Sequence, residues 1–409
     1  MKQGYTLIFA LAWRNLWRNP RRTIVILFAI VLGAWAMIVM AAYSRGMSQQ
    51  VFNNAIDNLL GHIQIHAPGY LEDPVIDRVL DTQQPALKTA LLAPEIQHTA
   101  ARVRVPAVVA SERDSQGVTL LGIDPAAEAD MSFIRKSVTL GKYFEGNQDG
   151  GIILGKKLVE RLETSLGRRV VLMTQNSQNK IADRGFRIVG IFDTMIDAQE
   201  TSYAFITLGT AQQMLDLGTN VSEIAVKLSH ADHTDKILGG LRAGLPGLDV
   251  KPWYTLDALT KLFQDTWEGS AFVWYLIVFL AMGFGIVNTI LMAVFERTRE
   301  FGLFQALGLK PNFILLQVWL ESLLLLTTGL AIGNLVSWLT VLATGDGIDV
   351  SAFSQGMEMV KLSKIIPFVL TTDDLVVANA VVLILGLLTC LYPAWRAARL
   401  VPAHAITRV

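Results

Sequence analysis

The sequence predicts an integral membrane α-helical protein of four transmembrane helices, with a large α+β domain inserted between helices one and two. Three observations carry this. Hydrophobic residues make up 52% of the 409-residue chain and charged ones only 17%, a balance outside that of ordinary soluble domains. Four long stretches carry no charge or a single acid, and each can cross a hydrocarbon core of about 30 Å at about 1.5 Å per helical residue. Between the first two stretches, period-two strand patterns alternate with helical ones.

Residues 1–22 contain Lys2, Arg14, Arg18, Arg21 and Arg22, with no acid before Asp57. The positive-inside rule keeps this end in the cytoplasm. In "LIFALAWRNLWRNPRR", Trp13 and Trp17 are four apart and the arginines recur at helical spacing. An amphipathic helix on the inner leaflet fits this pattern, with a plain extension of the first span as the alternative. The first span, residues 23–45, is uncharged from Thr23 to Tyr43. Ala41 and Ala42 near its end also permit a cleaved signal peptide, but the apolar core is longer than a signal needs.

Residues 46–268 hold 27 acidic and 21 basic residues and should face outward. Val51, Phe52, Ala55, Ile56 and Leu59 form one helical stripe, so the first span should continue outward as a stalk. The segment "DALTKLFQDTWEG" is its counterpart, leading into the second span. Between the stalks, "GHIQIHA", "ARVRVPAVVA", "GVTLLGI", "RRVVLM", "FRIVGIF", "SYAFITL" and "SEIAVKL" read as strands. The stretches "KKLVERLET", "GTAQQMLDL" and "HTDKILGGLRAGL" read as helices, giving a compact fold of two lobes. The one cysteine, Cys390, falls in the fourth span, so this domain is stable without an intrachain disulfide.

The second span, residues 269–295, is uncharged from Ser270 to Phe295; the third, 312–345, is interrupted only by Glu321; the fourth is 375–395. The connection 296–311, with Arg297, Arg299 and Lys310, and the tail 396–409, with Arg396, Arg399 and Arg408, are basic and should be cytoplasmic. The loop 346–374 is acidic and should face outward.

Catalytic signals are few. "GGIILGKK", Gly150 to Lys157, fits a phosphate loop except at its last position, where Lys157 replaces the hydroxyl residue that holds magnesium. A strand turning at Gly155 into a helix is the simpler reading. His62 and His66 on one strand would stand roughly 13 Å apart, too far to share a metal. His230 and His233 with Asp232 and Asp235 make either a weak metal site or a polar turn opening a helix. No metal, cofactor or nucleic acid is expected on this chain.

The connection after the second span is more informative. Phe301 with Phe304, and Leu303 with Leu307, stand at helical spacings, and Gly308, Lys310 and Pro311 are stop signals. A two-turn helix with exposed aromatics results, which would seek lipid or a protein groove; the pattern alone does not choose. Glu321 lies roughly 13 Å into the third span, where an acid is costly and faces protein. Asn288 stands at similar depth in the second span, so a bond between the two is expected, with proton coupling as the functional alternative. Gly329 with Gly333, and Ala29 with Gly33, mark either close helix packing or a dimer seam.

The segment "ERTREFGLFQALGLKPNFILLQVWLES" resembles the connection after the second membrane helix in the MacB, FtsX and LolC/LolE superfamily of ABC permeases, the type VII or mechanotransmission transporters. "YPAWRAARLVPAHAI" resembles the family's C-terminal ending, and "GGIILGKKLVERL", "FRIVGIFDT" and "AFITLGTAQQML" resemble units of its periplasmic domain. The resemblance implies a multi-pass protein of the bacterial inner membrane with both termini cytoplasmic and the large α+β domain periplasmic. It implies that the short helix is a coupling helix seated in a cytoplasmic ABC ATPase. Glu296, Arg297, Arg299, Glu300, Phe301, Gly302, Phe304, Ala306, Leu307 and Gly308 would form that contact, with Phe301 and Phe304 filling the groove.

The implied assembly is a non-catalytic permease dimer, homo or hetero, with two ATPase copies that hold the ATP and magnesium. Its cargo would be lipoproteins or other lipophilic molecules extracted from the membrane, since "GHIQIHAPGYLEDP" resembles the LolE-type branch. The alternatives are a MacB-like efflux permease with a periplasmic adaptor, and an FtsX-like regulator of a cell-wall hydrolase, whose outward domain is typically smaller.

Overall fold

The computed structural model describes residues 12–14, 16–147, 149–194, 196–308, 310–345, 347–349 and 365–398. The start of the expected interfacial helix, most of the 346–374 loop, the end of the C-terminal signature and the side chain of Phe304 lie outside the described residues. The chain divides into two compact units, Met1–Gln49 with Asp265–Val350 and Ile365–Val409, and Gln50–Gln264 with Ser351–Lys364.

In the first unit, four helices are long and apolar enough to cross a membrane. The first runs Pro20–Ala55 and ends in a π-helical turn, Ile56–Leu60. The second runs Ala258–Glu296, the third Pro311–Thr344 and the fourth Thr372–Ala398. Both expected stalks are therefore helical and continuous with their spans. Large apolar side chains such as Phe28, Phe272, Phe284, Leu339 and Ile384 point outward, as a lipid solvent requires.

Small residues bring the spans together. A Cβ on Gly329 would lie 2.5 Å from Ile30, one on Gly333 would lie 2.9 Å from Ala34, and one on Gly33 would lie 2.7 Å from Met282. Gly329 and Gly333 therefore pack the third span against the first, and Gly33 packs the first against the second, where close approach maximises dispersion. Polar pairs add direction. Trp35 donates its indole N–H to Thr340 at 3.0 Å, and the amides of Asn334 and Asn379 exchange hydrogen bonds of 2.7 and 3.0 Å between the third and fourth spans. Arg45 grips Asp374 with two bonds, 2.5 and 2.6 Å, at the stalk end of the first span.

The second unit is built on a ten-stranded sheet. Its spine is β3, Ile96–Ala110, a 15-residue strand that serves two lobes. Residues near its start pair with β11, Glu223–Leu228, which pairs with β1, Ile63–His66, and that with β12, Asp249–Pro252. Its second half pairs with β4, Ser115–Ile123. From β4 the pairing passes through β9, Tyr203–Thr207, β6, Gly151–Gly155, β8, Ile181–Phe192, and β7, Arg169–Gln175, and returns to β3. Six strands thus close a circuit, and the sheet ends at β12 on one side and at β5, Val138–Gly141, paired with β8, on the other. All the strands and helices expected from the motifs are present, and β3 is the element that joins the two lobes.

The near-phosphate-loop motif is a strand, Gly151–Gly155, followed by a helix, Lys156–Arg161. Gly155 is needed because a Cβ there would meet the carbonyl oxygen of Glu200 at 2.1 Å. The Glu200 carboxylate accepts from the Lys157 amide at 3.3 Å and from the Thr194 amide at 2.9 Å, so an acid already caps the helix start where a phosphate would sit.

Candidate functional site

The connection between the second and third spans is a helix, Thr298–Ala306, closed by Gly308 at φ 87°. The second span breaks at Arg297, whose φ of −101° and ψ of 12° leave the helical region. Leu307 and Gly308 donate back to Leu303 and Gln305 at 3.0 Å, and only glycine takes the positive φ without strain.

The break turns one face of the sequence into the bundle. Ile290, Val294, Arg297 and Phe301 are all buried, at intervals of three or four residues, and Phe301 is only 1% exposed. It packs in the same core as Ile314, Val318 and Leu325 of the third span, with the Arg297 guanidinium 5.9 Å from its ring centre. The expectation that Phe301 fills a partner's groove is therefore corrected: it anchors the short helix to its own bundle. What remains outward is Leu303, 53% exposed, and Leu307, 74% exposed, together with exposed Arg299, Ala306 and Gly308. Gly302 is buried beside Phe301.

The acids and bases of the connection are mostly engaged inside the chain. Arg297 places its guanidinium 2.9 and 3.1 Å from the two carboxylate oxygens of Glu321 and 3.4 Å from Glu300. Gln317 adds a 3.4 Å contact to Glu321. Glu321 is thus held by arginine, not by Asn288 as the depth argument expected. The reason is rotational. Arg297 follows Asn288 by nine residues, roughly half a turn out of phase at about 100° per residue, and Asn288 is exposed on the far face.

Two further ion pairs tie the connection to the chain preceding the first span: Glu296 accepts from Arg22 at 2.8 Å, and Glu300 accepts from Arg18. Burial pushes the Glu300 carboxyl up, but the hydrogen bond and charge of Arg18, with Arg297, hold it below the ordinary carboxylate range, and the same bond raises Arg18. Residues 12–14 and 16 are helical, and Trp13 and Trp17, both nearly half exposed, meet edge to face with ring centres 6.2 Å apart. The Thr23 hydroxyl donates to the carbonyl of Leu16.

Sequence reasoning missed these cross-chain pairs because their partners are more than 270 positions apart in two of the three cases. One signal was present: five bases before the first span and two acids in the connection have complementary charge on the side where both segments emerge.

The histidines stand apart from this arrangement. His62 accepts from the Leu228 amide through Nδ1 at 3.2 Å, and burial lowers its pKa to about 4. His66 is buried beside Gln64, 3.0 Å away. The rings of His230 and His233 meet at 5.6 Å before the helix Thr234–Gly244.

Comparison with known proteins agrees with this arrangement of four spans and one inserted domain. Residues 272–402 match the FtsX-like permease C-terminal family, and residues 23–243 match the MacB-like periplasmic core domain. The chain is 22% identical to the lipoprotein-releasing system transmembrane protein LolC of Xylella fastidiosa, covering 93% of this chain and 92% of that one. It is 23% identical to LolE of Haemophilus influenzae, over 98% and 99%. It is 24% identical to the macrolide export ATP-binding/permease protein MacB of Rhodospirillum rubrum, over 97% of this chain but only 59% of that relative. With more than half of its residues matched to the periplasmic core and the remaining spans to the permease domain, the chain belongs to the MacB/FtsX superfamily of ABC transporter permeases, multi-pass proteins of the inner membrane.

Proposed function

We propose that the chain is a permease subunit that converts ATP hydrolysis on a separate cytoplasmic ATPase into movement of its periplasmic domain, and that its cargo is a lipoprotein or another lipophilic molecule of the inner membrane. The single observation that carries the coupling reading is the division of labour in the helix Thr298–Ala306. Phe301 and Arg297 fix it to the bundle, while Leu303 and Leu307 stand exposed beside Arg299. A helix held rigidly on one face and apolar on the other transmits force to whatever covers the free face.

In this reading two permease chains, identical or different, work with two ATPase copies that hold the ATP and magnesium, and both termini and the 296–311 connection are cytoplasmic. The basic residues of those segments support this orientation. The lipophilic cargo is supported by similarity to LolC and LolE over nearly their whole length. A MacB-like export role is the second reading, supported by the comparable identity to MacB.

The test is co-purification from native membranes with mass spectrometry. A phosphate-loop ATPase should accompany the chain and be lost from the Leu303→Asp/Leu307→Asp variant, with membrane insertion unchanged. Retention of the ATPase by that variant would remove the coupling reading, and recovery of an adaptor with a coiled-coil hairpin instead of a second permease would favour export.

A further inference from the structure

Within the periplasmic unit, a cavity of about 560 Å³ opens beside β1 and β3, a size suited to a small ligand. One wall is the π-helical turn at the end of the first stalk, Asn58 to Leu60; another is Leu256 and Asp257, immediately before the second stalk. The turn is strained: Leu59 has φ 69°, a rare value for a branched side chain. It is pinned by Arg102, which donates to the Leu59 carbonyl, and by Gln64, which donates to Leu59 and Leu60 at 3.1 and 2.9 Å.

Behind this wall sits a charge cluster whose fully buried part holds more acid than base. Arg102, 0% exposed, pairs through bonds of 2.8 and 2.9 Å with Glu128, also 0% exposed. The same guanidinium reaches Glu223, 1% exposed, at 3.2 Å. One buried cation thus faces two buried carboxylates. The other oxygen of Glu223, Oε2, accepts no hydrogen bond among the described residues, and its closest cation is the partly exposed Arg104 at 3.8 Å. Asn58 Oδ1, also buried, accepts none either. Both residues line the cavity. A buried, half-satisfied carboxylate is costly, and what satisfies it is a cationic hydrogen-bond donor. The rest of the lining is mixed: Leu60, Leu71 and Leu256 supply apolar surface, and Arg104 and Asp257 lie among its polar residues.

We propose that this cavity binds a primary ammonium carried on an apolar body, with the ammonium donating to Glu223 Oε2 and Asn58 Oδ1 and the apolar part lying along Leu60, Leu71 and Leu256. Two sources share that chemistry, a small aliphatic amine and the free amino terminus of a hydrophobic peptide. Because the site is walled by both stalk roots, its occupant touches the two segments that lead toward the spans.

The test uses the full chain purified in detergent, with isothermal titration of hexylamine and of leucyl-leucinamide. At least one should bind at a single site. N-acetyl-leucyl-leucinamide and hexanol, which lack the ammonium, should bind at least tenfold more weakly. Glu223→Gln should weaken binding about tenfold. Should that variant fold poorly, Leu71→Trp, at a position 41% exposed, fills the mouth without touching the charge cluster and should abolish binding. Tighter binding of the peptide than of hexylamine assigns the site to amino termini, and the reverse order assigns it to small amines. Failure of both to bind, or equal binding of the acetylated peptide, overturns the proposal.

Discussion

Replacing Arg297 with methionine probes how the short helix is fixed to its bundle. The guanidinium bonds both oxygens of Glu321, 2.9 and 3.1 Å away, with side chains 6% and 13% exposed. Methionine fills similar volume but leaves Glu321 in a low-dielectric setting without its counter-charge. Removing one partner of a buried ion pair costs about 3–5 kcal/mol, and an acid at the centre of a membrane helix costs about 3 kcal/mol on insertion scales. Taking the lower figure, the folded population should fall by roughly a hundredfold relative to the unfolded one. The double replacement Arg297→Met/Glu321→Met removes both charges and should recover most of the loss, since an apolar pair of similar volume is commonly neutral or better. The assay is reversible sodium dodecyl sulfate titration of the full chain in mixed micelles, followed by tryptophan fluorescence. If the single variant unfolds within about 1 kcal/mol of the parent, or if the double variant is no more stable than the single one, the ion pair does not anchor this helix.

Other consequences are simpler to read. His62, neutral in the fold with its pKa lowered to about 4 by burial, binds a proton more readily when unfolded, near the ordinary value of about 6.5. Stability should therefore fall as the pH drops through the window from 6.5 toward 4, by about 3 kcal/mol in total, and His62→Gln should flatten that slope in pH-dependent urea unfolding. Gly155→Ala should destabilise the periplasmic domain by about 1–3 kcal/mol or more, because the added Cβ meets the Glu200 carbonyl. Gly185→Ala, with nothing within 4 Å of its Cβ, should be silent where Gly155→Ala lowers the midpoint in a thermal melt. Asn334→Leu should cost about 0.5–2 kcal/mol by breaking the amide pair with Asn379, and adding Asn379→Leu should cost little more.

Much of the fold was legible because solvent imposes it. Long uncharged runs marked the spans, and period-two alternation marked β1, β3, β4, β8 and β9 in their correct places. The closed strand circuit was not legible, since it depends on β7 returning to β3, a pairing that no local pattern encodes. The short helix lies where the spacing placed it, but it turns Phe301 inward and not outward. Sequence spacing grouped Phe301 with Phe304 as one exposed face, but it carries no information about the break at Arg297, which sets which face of the next helix meets the bundle. The same break decides the fate of Glu321. Depth along a helix suggested Asn288, whereas direction around the helix selects Arg297. Burial that continues from Ile290 and Val294 through Arg297 to Phe301 was present in the sequence as a three-four spacing; charge at Arg297 masked it.

The most direct test of the account replaces Leu307, Leu303 or Phe301, one at a time, with a photo-crosslinking amino acid in the native membrane. Adducts to a phosphate-loop ATPase should form from positions 307 and 303, and position 301 should give only links within the permease. An ATPase adduct from 301 alone, or none from 303 and 307, would mean that the outward face of this helix is not where the motor sits.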